Sequence, residues 1–240
     1  MNISPNIYMF HRIKIEEKQY IPNIYYQRNM VHNVKDLFLI FDSFLEKGKH
    51  FGSIEKCINS EQYFHLSFDD GYKEHLAIAR KLKEKYCIKR DHVTFSINFG
   101  NSFVHEYTGM DVVYYAIIHN KLKKLKAFLK IPDSEKDINL IKQTLIKQPP
   151  EVLKKIPNLF KGQNINLSNM FLEKNDIIEI SKNFNIACHG MTHRDMTKHI
   201  EKSRTEILVS KKMLEKELNQ KIKIITYPEG KNNEQLQKNL

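Results

Sequence analysis

Cysteine is scarce in this chain, and the scarcity limits the kind of scaffold it can build. Cys57, Cys87 and Cys188 are spread through 240 residues. Three widely spaced cysteines cannot make a disulfide framework, and an odd number suits a reducing compartment. With 41% apolar residues, the chain should instead depend on a hydrophobic core.

Long apolar runs are also missing. No stretch approaches the ~18 consecutive apolar residues of a membrane-spanning helix. The opening residues Met1 to Pro5 lack the basic start and the apolar segment of a signal peptide. We therefore expect no transmembrane segment, no signal peptide and a cytoplasmic location.

Internal repeats, low-complexity linkers and known nucleic-acid-binding signatures are absent as well. The chain carries 39 Lys and Arg against 28 Asp and Glu, a net charge of +11, which favours anionic partners through long-range steering. Its lysines alternate with apolar residues at 121–130, 142–155 and 211–223, as on solvated helix faces. We expect one domain over 1–240, no nucleic-acid partner and an undetermined oligomeric state.

Strand-like and helix-like patterns alternate through both ends of the chain, which predicts an α/β fold of parallel strands with crossover helices. Predicted strands lie at 7–10, 63–68, 92–97, 185–189 and 222–227, and predicted helices at 34–47, 73–86, 173–182 and 198–218. In α/β barrels the functional residues lie at the carboxyl ends of strands, which is where the polar motifs of this chain fall.

Two of these motifs could hold a metal. Asp69 and Asp70 follow the strand at 63–68, and His189 and His193 follow the strand at 185–189. Asp70 and the two histidines would supply the three ligands of a catalytic zinc or a similar divalent ion, and Asp69 could then accept a proton from water activated by the metal. Taken separately, the carboxylates could form an ordinary turn and the histidines could be packing or solvated residues.

Cys188 precedes His189, which raises the alternative of a cysteine nucleophile activated by histidine. A small buried cysteine beside a ligand is the commoner situation in such a strand.

The segment at about 101–171 carries no motif and is interpreted as a helical insertion, with a helix at 110–129 that presents Val113, Ile117, Leu125 and Leu129 on one face. It would either pack on the fold or form a lid or membrane-surface contact.

Together, the motifs resemble those of the NodB-type polysaccharide deacetylases, carbohydrate esterase family four. The segments that carry the resemblance are Ser67-Phe68-Asp69-Asp70-Gly71, His189-Gly190-Met191-Thr192-His193 and Ile225-Thr226-Tyr227-Pro228-Glu229-Gly230, with weaker similarity at Ile7 to Arg12 and Val93 to Ser96. The resemblance implies a distorted (β/α) barrel.

The resemblance also implies a role for each matched residue. Asp69 would be the catalytic base, and Asp70, His189 and His193 would bind a divalent metal, with zinc as the expected ion. The backbone amide of Glu229 would stabilise the oxyanion, and Tyr227 and Pro228 would contact the substrate.

The chain departs from the family pattern in its third motif and beyond. Thr226 stands where many members carry arginine, and the sequence ends at Leu240 without the family's fourth and fifth motifs. We therefore expect a truncated or partly degenerate member, whose barrel is incomplete and carries the helical insertion. An incomplete barrel leaves edges and core exposed, so we expect missing sequence, a partner chain or poor stability.

The expected function is a metal-dependent hydrolase that removes acetyl groups from N-acetylated sugars of a polysaccharide, a glycolipid or a sugar precursor. The alternative is a catalytically impaired member that acts as a carbohydrate-binding protein.

Overall fold

The computed structural model describes residues 6–19, 21–104, 111, 113–114, 116, 121–160 and 170–238. The chain divides into two compact units. The first unit comprises Met1–Ile97 and Met170–Ala187, and the second comprises Asn98–Asn169 and Cys188–Leu240. The prediction of one domain over 1–240 stays a prediction.

Strands and helices alternate along much of the described chain. The strands are β1 (Ile7–Phe10), β2 (Arg12–Lys14), β3 (Val31–Asn33), β4 (His50–Phe51), β5 (Tyr63–Phe68), β6 (Val93–Ile97), β7 (Asn185–Cys188) and β8 (Ile224–Ile225). The helices are α1 (Asn23–Gln27), α2 (Val34–Glu46), α3 (Ile54–Asn59), α4 (His75–Lys85), α5 (Leu122–Phe128), α6 (Ile138–Ile146), α7 (Pro150–Leu153), α8 (Lys174–Ser181), α9 (Ile200–Leu218) and α10 (Glu234–Lys238).

Among the described residues, the main sheet has six strands in the order β1-β5-β6-β7-β8, with β4 beside β5, and a second sheet pairs β2 with β3. Strand β5 pairs in parallel with β1, β4 and β6. Five of its six residues are buried, as expected of a central parallel strand covered on both faces. The predicted α/β class, with parallel strands and intervening helices, is confirmed.

The core of the first unit is rich in phenylalanine. The ring of Phe64 from β5 lies 4.5 Å from that of Phe51 and 6.4 Å from that of Phe41 in α2, and Phe68 stacks on Phe95 of β6 at 5.1 Å. Helix α2 begins where the side chain of Asn33 accepts a hydrogen bond from Lys35 N, a typical N-cap. Helix α2 therefore packs against strand β5 through Phe41 and Phe64.

Helix α9 organises the second unit. Its buried residues recur every three or four positions, as on an amphipathic helix, and they are Ser203, Glu206, Ile207, Ser210 and Leu214. Ile207 packs with Met196 and Leu236. In the described part of the chain, no helix combines the length and apolar character that crossing a membrane requires.

Two predicted elements differ from the structure. Strand β8 is limited to Ile224–Ile225, although Thr226 N still donates to Cys188 O at 3.0 Å before Pro228, which has no N–H to donate. The predicted helix at 110–129 is wrong as one continuous element, because Lys121 is not helical and caps α5. Residues 110, 112, 115 and 117–120 of that prediction lie outside the described residues.

Two buried histidines predict a loss of stability in acid. His65 Nε2 lies 2.9 Å from Thr94 Oγ1, His75 Nε2 lies 2.6 Å from His11 O, and burial lowers the pKa of both imidazoles. Below the unfolded pKa of about 6.5 the unfolded chain binds protons that the folded chain does not, so stability falls as the pH falls toward the folded values.

We expect the free energy of unfolding in urea to decrease by up to about 1.4 kcal/mol per pH unit for each histidine. His65→Gln should reduce this slope, whereas the same change at the exposed His50 should not. An unchanged slope in the His65 variant would contradict the assignment.

Candidate active site

The first motif lies in the first unit, immediately after the carboxyl end of β5. Asp69 and Asp70 are both buried. Asp70 and Gly71 adopt left-handed backbone angles, with φ of 76° and 69°, so the chain turns sharply after the strand. Left-handed angles are uncommon for a residue other than glycine and mark sites held by their surroundings.

The carboxylate of Asp69 is oriented by two hydroxyl groups. Ser67 Oγ and Ser96 Oγ each donate to Asp69 Oδ1 at 2.8 Å. Ser67 belongs to the motif itself, whereas Ser96 comes from β6. Two donors on one oxygen fix the plane of the carboxylate.

A buried ion pair holds the turn that follows Asp70. Arg12 Nε lies 2.5 Å from Glu74 Oε1, with both side chains 5% exposed. The guanidinium also lies 4.7 Å from the ring centre of Tyr25 and 4.4 Å from that of Tyr72. Although burial opposes the charge, Glu74 keeps the pKa of Arg12 above its ordinary value. The segment from Tyr72 to Glu74 is thus tied to β2.

The second motif lies in the second unit and follows β7. His189 and His193 are buried, and their ring centres lie 5.0 Å apart. His189 Nδ1 lies 2.8 Å from Thr226 Oγ1 and 3.1 Å from Thr226 O. Because Thr226 occupies Nδ1, Nε2 is the nitrogen that His189 would present to a metal, in the arrangement usual for ligating histidines.

Gly190, between the two histidines, adopts a backbone conformation that favours glycine. Its φ is +80°, and a Cβ atom there would lie 2.4 Å from Met196 Cε. Phe99 N also donates to Gly190 O at 2.9 Å. A side chain at this position would therefore strain a tightly packed turn.

The third motif forms a short 3₁₀ turn at Pro228–Gly230. Glu229 has a φ of 60°, and its carboxylate lies 2.5 Å from Nζ of the buried Lys142. The side chain of Glu229 is therefore engaged in an ion pair, and the role of its backbone amide stays a prediction. Tyr227 precedes the turn, and burial raises the pKa of its phenol.

The geometry argues against Cys188 as a nucleophile. Cys188 Sγ is buried, 3.2 Å from Ser210 Oγ and 3.8 Å from Ile207 O. Burial raises the pKa of the thiol, which keeps it protonated and unreactive. The residue is part of the packing between β7 and α9.

Asp70 in the first unit, and His189 and His193 in the second, are buried, and each offers one atom that could bind a metal ion. Two imidazoles and one carboxylate are the donor set of many catalytic zinc sites. The sequence motifs identified these three residues. They assigned no role to Ser96, Lys142 or Glu206, which contact the motifs from other elements, because a polar residue type alone does not identify its partner.

Comparison with known proteins shows which family and which folds the chain is similar to. Residues 140–240 match the model of the polysaccharide deacetylase family. The matched range begins within the segment predicted as an insertion at about 101–171, and that insertion remains a prediction. No curated protein matches the chain in sequence.

Solved deacetylases share the fold. A deacetylase from Streptococcus pyogenes, solved in complex with acetate, has a TM-score of 0.56 and 18% identity over 97% of this chain and 77% of its own. A polysaccharide deacetylase from Bacillus cereus has a TM-score of 0.56 and 16% identity over 97% of this chain. A de-N-acetylase from Aggregatibacter actinomycetemcomitans has a TM-score of 0.53 and 16% identity, over 98% of this chain and 82% of its own.

This chain spans only 53% of the Bacillus cereus protein. Sequence identities of 16% and 18% establish a similarity of fold alone. Residues 140–240 nevertheless carry the second and third motifs in the family's order. Those residues are therefore similar to the polysaccharide deacetylase family, and the chain has the fold of solved deacetylases, as the motifs predicted.

Proposed function

We propose that this protein is a metal-dependent hydrolase that removes acetyl groups from N-acetylated sugars. The observation that carries the proposal is the set of three buried residues Asp70, His189 and His193, whose donor atoms suit a divalent ion. The family match and the motif order support the same reaction class. Zinc is the proposed ion, because neutral imidazole and carboxylate ligands in a three-residue set are typical of its catalytic sites.

Each residue of the proposed site has a distinct task. A divalent ion held by Asp70, His189 and His193 would supply Lewis-acid activation of water and of the acetyl carbonyl. Asp69, oriented by Ser67 and Ser96, accepts the proton of the attacking water. Hydrolysis of the amide then yields acetate and the free amine of the sugar.

The third motif is proposed to bind the reacting group. The Glu229 amide donates to the oxygen that becomes negatively charged during attack. Lys142 pairs with the side chain of Glu229 and so supports the turn that presents this amide. Tyr227 and Pro228 are proposed to contact the sugar ring beside it.

The substrate class is proposed from solved proteins of the same fold. One was solved with acetate, and another is described as a de-N-acetylase. The net charge of +11 favours an anionic polymer, a glycolipid or a phosphorylated precursor. If the protein works in the cytoplasm, as the sequence predicts, a glycolipid or a precursor would be the accessible substrate.

Acetate release tests this proposal. The full chain, purified and loaded with Zn²⁺, is incubated with N-acetylglucosamine oligomers, an N-acetylated glycolipid and a nucleotide-linked N-acetylhexosamine, and acetate is measured enzymatically. Acetate from any of them, equal in amount to the new free amine, supports the proposal. Zinc-loaded protein that binds an oligomer without releasing acetate would overturn it in favour of the carbohydrate-binding alternative.

A further inference from the structure

One carboxylate in the second unit holds the segment between the two histidines. Glu206 Oε1, on helix α9, accepts hydrogen bonds from Met191 N at 3.0 Å, from Thr192 N at 2.7 Å and from Thr192 Oγ1 at 2.8 Å. These donors are consecutive in the chain and lie between His189 and His193. Hydrogen bonds to an ionised acceptor are shorter and stronger than neutral ones, so a single side chain fixes the path of the loop.

The other oxygen of Glu206 engages the residue on the far side of His193. Arg194 Nε lies 3.3 Å from Glu206 Oε2, and the side chains are 0% and 5% exposed. The remaining nitrogens of Arg194 donate to Lys198 O at 2.9 and 2.8 Å and to Ser203 Oγ at 2.7 Å. Glu206 therefore contacts the chain on both sides of His193, at Met191 and Thr192 before it and at Arg194 after it.

This loop needs such support because it has positive φ at two positions, one of which, His193, is not a glycine. Gly190 has a φ of 80° and His193 a φ of 48°. A non-glycine residue in the left-handed region persists only where surrounding contacts impose it. Without Glu206, the backbone N–H groups of half-buried Met191 and buried Thr192 would lose their acceptor, and the Arg194 charge would lose its counterion.

We infer that Glu206 is a positioning residue that holds His189 and His193 in the geometry required to bind the metal. The inference rests on the proposed metal site, and it adds a residue outside the three motifs. Groups that orient metal ligands typically contribute 10- to 100-fold in metal affinity. Glu206 acts through the loop backbone and not on the metal or the substrate.

The test compares Zn²⁺ affinity in three variants of the full chain, measured by competition with a chromophoric chelator. Glu206→Ala removes all the loop contacts, and Glu206→Gln keeps an oxygen acceptor but removes the charge. Leu214→Ala is the control, since it truncates a fully buried side chain of the same helix about two turns further along. Thermal melts identify temperatures at which every variant is folded.

We expect Glu206→Ala to weaken Zn²⁺ binding about 10- to 100-fold and Glu206→Gln to weaken it less. Leu214→Ala should lower Tm while leaving Zn²⁺ affinity unchanged. The visible spectrum of the Co²⁺-loaded protein should change in the Glu206 variants and not in the control.

Three results would overturn the inference. One is wild-type Zn²⁺ affinity in the Glu206 variants, and another is an equal loss in Leu214→Ala. The third applies if Glu206→Ala fails to fold: it is a Glu206→Gln variant with wild-type Zn²⁺ affinity and an unaltered Co²⁺ spectrum. Absence of metal binding by the wild-type chain would instead remove the proposed function together with this inference, so the two failures are distinguishable.

Discussion

Asp69→Asn is expected to abolish most of the acetate release while leaving the fold and the metal in place. Asparagine keeps an oxygen that can accept from Ser67 Oγ and Ser96 Oγ, which donate to Asp69 Oδ1 at 2.8 Å in the native protein. It cannot take a proton from water. General-base catalysis typically contributes 10²- to 10⁴-fold, so we expect kcat to fall by about that factor.

The control for this variant is Ser96→Ala, which removes one orienting hydroxyl but keeps the base. We expect it to reduce kcat by less than Asp69→Asn does, because Ser67 still holds the carboxylate. Measurements of kcat, zinc content and Tm on the three proteins would separate a lost base from a lost fold. Near-native kcat in Asp69→Asn, with zinc bound, would refute the role assigned to Asp69.

Glu74→Ala is expected to produce a large loss of stability in the first unit. The side chain pairs with buried Arg12 at 2.5 Å and accepts a hydrogen bond from Ile13 N at 3.3 Å. Removing it leaves the Arg12 charge buried between Tyr25 and Tyr72 without its carboxylate. Breaking a buried pair in this way costs about 3–5 kcal/mol, which urea unfolding would measure.

A matched control is available in the same unit. Arg80 and Glu179 form two hydrogen bonds at 2.7 and 2.8 Å, but their side chains are 62% and 44% exposed. Exposed pairs contribute at most about 1 kcal/mol, so Glu179→Ala should change the unfolding free energy little. Equal losses in Glu74→Ala and Glu179→Ala would show that burial of the Arg12 pair does not govern its contribution.

Short-range patterns in the sequence predicted much of the fold. Strand β5 was predicted with its observed bounds because its aromatic and apolar residues end at the Asp-Asp-Gly turn. Helix α9 and strand β7 were predicted to within two residues of their observed ends. These elements are recognisable because a buried strand and an amphipathic helix impose periods that a single segment displays.

The polar contacts that support the candidate site could not be predicted in the same way. Ser96, Lys142 and Glu206 each reach a motif distant in the sequence, and the partner of a buried polar side chain depends on how elements pack. Thr226 illustrates the point. In the sequence it only marks a missing arginine, whereas in the structure its hydroxyl lies 2.8 Å from His189 Nδ1.

Metal content tests the central claim most directly. The full chain and an Asp70→Ala, His189→Ala double variant would be purified identically, loaded with Zn²⁺, freed of excess ion and subjected to elemental analysis. The account predicts about one zinc per wild-type chain and a marked loss in the double variant, since two of the three ligands are gone. Equal zinc in both proteins, or none in the wild type after loading, would contradict it.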